Sequence, residues 1–154
     1  MRPSILIAGI GNVFLGDDGF GVEVIRTLSA QPLPPHVIAI DYGIRGFDLA
    51  CALTDDFETV LLVDAIQNND VPGTLYVIEP KLSADAPTVD PHGLHPQQVL
   101  QLAHSLGEIR ARILLLGCEP QTFGPPEGLM SLSPPVAAAI PKAIEWIHAN
   151  ISLA

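Results

Sequence analysis

Four short runs constrain this chain more than anything else in it. Ile5 to Ala8, Val37 to Ile40, Val60 to Val63 and Ile113 to Leu116 are nearly unbroken stretches of β-branched and aliphatic residues. A strand with one wet face alternates apolar and polar residues, so a continuous apolar run means burial on both faces, as in a parallel sheet covered by helices. Between the runs, apolar residues recur at helical spacing. Val22, Ile25 and Leu28 do so after Asp18, and Val99, Leu102, Ala103 and Leu106 do so between Pro96 and Gly107. Val136, Ile140, Ile144, Ile147 and Ile151 form a stripe behind the cap-like Ser133-Pro134. Pro141 inside that stripe removes a backbone donor and is expected to kink the helix. A shorter helix is expected from Arg45 to about Leu53, with Cys51 in its core-facing side. A fifth strand candidate, TLYVIEP from Thr74, follows the turn signal Val71-Pro72-Gly73 and stops at Pro80, which suits a sheet edge.

Strand–helix alternation of this kind implies right-handed crossovers. The expected architecture is α/β: a single three-layer domain over residues 1–154, with a twisted, mostly parallel five-stranded sheet between helices. A content of 48% hydrophobic against 16% charged residues supports a compact core. The net charge of −10, seven Lys and Arg against seventeen Asp and Glu, argues against nucleic acid and anionic membranes as partners. No apolar run approaches the roughly 18 to 20 residues of a membrane span. The N-terminal stretch is broken by Gly9 and Gly11 and reads as a strand, not a signal peptide. Cys51 and Cys118 lie far apart without CxxC spacing, so a structural zinc site is excluded and a reducing cytoplasm is the expected setting. The proline-rich stretch from Pro120 to Pro135 is long for a plain connection and reads as a surface loop with a use.

Open α/β sheets build their sites at the carboxyl ends of strands. Here an acid follows every main run: Asp17 and Asp18 after the turn Gly9-Ile10-Gly11-Asn12, then Asp41, Asp64 and Glu119. The glycine turn suggests a dinucleotide site, but Phe14 stands where the third glycine belongs, and Asp17 and Asp18 would repel a pyrophosphate. Asp41 also lies 30 residues past Gly11, where about 20 is usual for the ribose-binding acid. One acid suffices to cap a helix, a contribution of about 0.3–1 kcal/mol. Asp17 is the expected cap and Asp18 the expected ligand, although the sequence barely separates them. Asp64 ends a buried strand, where a carboxylate needs a positive partner or a metal; its plainer reading is a turn former. His36, His104 and His148 look ordinary. In DPHGLHP, from Asp90, His95 stands at a cap position before Pro96 and His92 is freer to reach the crevice; both stay candidates. Two carboxylates and an imidazole suit a borderline divalent cation such as nickel or zinc, with positions left open for water or substrate. Cys118 lies among acids that raise a thiol's pKa and reads as a buried structural thiol.

The segments GIGNVFLGDDGFG, IDYGIRG, LLVDAI, PHGLHPQQVL and LLLGCEP resemble, in that order, those of the hydrogenase maturation endopeptidases, and the likeness runs from Ile5 to about Ile147. The resemblance implies a cytoplasmic peptidase with a twisted sheet between helices. It would trim the C-terminal extension from the large-subunit precursor of a nickel-containing hydrogenase after nickel is inserted. The nickel, supplied by the precursor, would be the recognition signal. By position, Asp18 matches the acid of the first motif, which is Glu in some relatives; Asp64 matches that of the third and His92 the histidine of the fourth. The resemblance makes these three a nickel-binding set and Asp41 a further acid tied to activity. A reading from another class is a non-catalytic, chaperone-like module that binds and checks the nickel-loaded precursor. A monomer is the default expectation.

Overall fold

The computed structural model describes residues 2–80 and 95–151. Five strands, β1 (Ile5–Ile10), β2 (Val37–Gly43), β3 (Thr59–Ala65), β4 (Leu75–Ile78) and β5 (Arg112–Cys118), form one sheet in the order β2-β1-β3-β5-β4. Neighbours are parallel except β4, which runs antiparallel to β5 at the end of the order. The four apolar runs are the four parallel strands, and the TLYVIEP segment supplies β4.

Burial on both faces accounts for the unbroken runs. In β1, Ile5 and Ile7 join one core with α1 (Phe20–Ser29) and α4 (Pro134–Asn150). Leu6, Ala8 and Ile10 join a second core with α2 (Gly46–Leu53) and α3 (Pro96–Leu106) on the other face. Each such aliphatic side chain contributes roughly 1.5–3 kcal/mol on full burial. The chain leaves β1 through α1 to reach β2, then returns through α2 on the opposite face to β3, on the other side of β1. Connections therefore diverge at the carboxyl ends of β1 and β3, which opens a crevice there.

One local expectation changes. Cys51 is exposed. Helix α2 buries Leu49, Ala50, Ala52 and Leu53, and helical rotation carries Cys51 outward one turn beyond the exposed Phe47. Helix α4 runs without a break from Pro134 to Asn150, with Pro141 inside it on the exposed side.

Helix α1 sits directly on the sheet backbone. A Cβ at Gly21 would overlap the carbonyl oxygens of Val63 and Ile10, and a Cβ at Gly9 would lie 2.6 Å from the carbonyl oxygen of Gly21. The close helix–strand packing that a dinucleotide fold assigns to its third motif glycine is thus carried by Gly9 and Gly21, which leaves Phe14 free to stand in solvent. Gly21→Ala is expected to cost about 3 kcal/mol, as over-packing against immovable backbone does. Urea unfolding should show a lower midpoint at unchanged slope; an unchanged midpoint would contradict this packing.

Candidate functional site

The segment from β1 to α1 is built to place two acids. Gly11, at φ 144°, turns the chain back so tightly that a Cβ would overlap the carbonyl oxygen of Asp18. A single 3₁₀ turn, Gly16–Gly19, then carries Asp17 and Asp18 in succession, so the two side chains leave in different directions.

Asp17 is fully buried and does not cap α1, whose N-cap is Gly19 without a side-chain bond. Its carboxylate accepts four hydrogen bonds from the loop between β5 and α4: Gln121 N at 2.8 Å, Thr122 N at 3.0 Å, Ser133 N at 2.7 Å and Ser133 Oγ at 2.8 Å. The expected cap is instead a staple for the proline-rich loop. Glu119, equally buried, does the same for the β3–β4 connection by accepting from Asn68 N and Asp70 N. Cys118 between these acids is buried, and its thiol is pushed up to about 12 by burial first and by Asp17 and Glu119 next. It remains a neutral thiol at neutral pH.

Asp18 turns toward the crevice. The amide of Asn12 donates to its carboxylate at 2.8 Å, so the backbone N–H that a phosphate would seek is already taken by an acid. Asp64, at the end of β3, is 3% exposed and, among the described residues, accepts a bond from Ala65 N at 2.8 Å. Its carboxyl is held well above the usual carboxylate range, chiefly by burial and next by the negative charge of Asp18, with the Ala65 amide pulling the other way. The structure therefore brings Asp18 and Asp64 near enough to feel each other's charge. No ion pair among the described residues involves Asp64.

The remaining candidates separate. Asp41 is exposed and pairs in register with Gly9, on the face of β2 that also presents Ala39; strand alternation puts Asp64 on the opposite face. Arg45 donates to the Asp41 carbonyl oxygen at 2.6 Å, not to its carboxylate. His95 is the N-cap of α3: its Nδ1 accepts from Gln97 N at 3.1 Å, and Gln98 completes a capping box. His92 lies outside the described residues, as does Asp90. Among the described residues no group of three or more His, Cys, Asp or Glu is gathered closely enough to hold a metal ion. Nor is any described helix long and apolar enough to cross a membrane.

Comparison with known proteins places the chain in a family. The family profile HycI, hydrogenase maturation protease, matches residues 22–150. The coenzyme F420 hydrogenase subunit delta of Methanothermobacter thermautotrophicus is 33% identical, aligned over 97% of this chain and 95% of its own. A putative hydrogenase maturation protease of Methanocaldococcus jannaschii is 35% identical over 97% of each. Among solved structures, the hydrogenase maturating endopeptidase HybD of Escherichia coli superposes with a TM-score of 0.81 at 28% identity, covering 98% of this chain and 92% of that one. The [NiFe] hydrogenase maturation protease HycI of Thermococcus kodakarensis gives 0.73 at 27% identity, covering 97% and 92%.

The raised carboxyl of Asp64 has a consequence for stability. In the unfolded chain it ionises near 3.8, whereas the folded protein holds the proton to a higher pH. The folded state binds more protons between those two values, so stability falls as pH rises through that interval. Asp64→Asn, neutral throughout, should melt higher than the parent above the interval, and the gap should close toward pH 3.8. A gap that does not change with pH would contradict the assignment.

Proposed function

The chain belongs to the hydrogenase maturation proteases, and on that footing we propose that it removes the C-terminal extension of a nickel-loaded hydrogenase large-subunit precursor in the cytoplasm. The nickel ion enters as part of the substrate. One observation carries the reading: a buried carboxyl, Asp64, lies within reach of the charge of Asp18 and has no ion-pair partner among the described residues. Asp18 and Asp64 together offer two carboxylates to a divalent cation. A carboxylate left like this in a desolvated place is costly unless a cation neutralises it.

Asp18 and Asp64 would supply oxygen ligands and His92 an imidazole nitrogen, a donor set suited to nickel. Such an ion, when bound, supplies polarisation of a carbonyl or a water of lowered pKa. The chain's own residues do the rest. The Asn12 amide aims the Asp18 carboxylate, the Ala65 amide aims that of Asp64, and capping by His95 leaves the imidazole role to His92. Burial and the charge of Asp18 favour the neutral form of Asp64 and a cation favours the ionised one, so engagement of the precursor strengthens with rising pH. Asp41, on the other face of the sheet, has no ligand role here; its exposed carboxylate stands at the rim for the peptide or for water.

The test is intact mass of nickel-loaded precursor after incubation with the protein. The parent should shorten it at the C-terminus. Asp18→Asn and His92→Ala should abolish shortening while the melting curve stays cooperative, and Asp41→Asn should slow it less. Wild-type rates in both of the first two variants would refute the site. A stable complex whose mass never changes would favour the non-catalytic checking module.

A further inference from the structure

The five most exposed large apolar side chains among the described residues are Phe14, Ile44, Phe47, Val71 and Met130, between 57% and 71% exposed. All five stand on connections that leave the carboxyl ends of the parallel strands. Phe14 lies between β1 and α1, Ile44 and Phe47 between β2 and the first turn of α2, Val71 between β3 and β4, and Met130 between β5 and α4. The opposite rim is built differently: Arg2 and Arg110 pair with Asp56, Arg110 with Glu108, and Arg112 with Glu79. Apolar side chains scattered singly over a surface mean little, whereas a set collected on one end, ringed by acids, marks a contact face.

That end is also acidic. Asp18, Asp41, Asp48, Asp64 and Asp70 stand on it, and its cation among the described residues, Arg45, is already paired with Asp48. Beside the turn that carries Asp18, a recess of about 330 Å³ opens between Val13, Met130, Leu132 and Ile140, with room for one large side chain.

We infer that this rim is the docking face for the folded body of the precursor, with Phe14, Phe47 and Met130 as anchors and the recess taking an apolar side chain of the partner. The inference rests on the reading that the precursor's ion reaches Asp18 and Asp64. Those carboxylates stand at the carboxyl end of the sheet, among the apolar connections, so a macromolecule whose ion reaches them covers that rim. A free ion or a loose peptide would have no use for it. A face complementary to this rim would be apolar at its centre and basic around it. Aromatic and methionine side chains dominate the energetics of such contacts, and Met130 can adjust to the guest.

Phe14→Ser, Phe47→Ser and Met130→Ser test this against the nickel-loaded precursor, with affinity read by biolayer interferometry and cleavage by intact mass. Because the three side chains are exposed, melting temperatures should stay within a degree or two of the parent. Kd and KM should rise about tenfold or more while kcat stays within about twofold. Leu106→Ser, an exposed apolar site on α3, should change neither. Affinities within about twofold of the parent in all three variants overturn the proposal, as does a parent that does not bind the precursor. A parent that binds without cleaving sinks the peptidase reading alone, and the affinity comparison still decides the docking face.

Discussion

Everything at the site follows from how closely α1 lies on the sheet. With no side chain at Gly9 or Gly21, the first turn of the helix rests on the backbone of β1 and β3 instead of on a layer of side chains. The connection from Gly11 to Gly19 then has to fold over the end of β3, which is where Asp64 emerges. Asp18 meets Asp64 because the helix has been pulled down onto the strands. A bulky residue at either glycine would lift the helix and open the pair.

Acids after the strands do two different jobs, and hydrogen bonding tells them apart. Asp17 receives four donors, and Glu119 receives amides from the neighbouring connection. Bonds of this number satisfy a buried carboxylate and fasten the loops that supply the donors. Among the described residues Asp64 receives one donor and faces a like charge, so its negative form is poorly supported by them. The first kind of acid holds the rim in shape. The second leaves a place where positive charge is wanted, and the rim it stands on is bordered by the exposed side chains of Phe14, Phe47 and Met130.

Much of this was legible in the sequence for a physical reason. Strands buried on both faces must be apolar throughout, so β1, β2, β3 and β5 announced themselves, and the order of acids after them marked the rim. What was not legible depended on partners distant along the chain. Asp17 and Asp18 are chemically identical neighbours, and only donors more than a hundred residues away, at Gln121, Thr122 and Ser133, make Asp17 a staple for the loop. The fixing role of Glu119 was hidden in the same way, because its donors are backbone amides that any sequence would offer. Cys51 misled because α2 is only eight residues long, too short for its apolar letters to define a face. Asp41 and Asp64 both follow apolar runs in the sequence, but strand register decides the face of a side chain, and register is not written in composition.

The central claim is that the carboxylates of Asp18 and Asp64 jointly receive a divalent cation at the carboxyl end of β3. Anomalous diffraction at the nickel edge, from crystals soaked in nickel, addresses it most directly. The account predicts a single strong peak within ligand distance of both carboxylates, lost in Asp64→Asn crystals. A peak bound elsewhere on the chain, or one that touches neither acid, would contradict it.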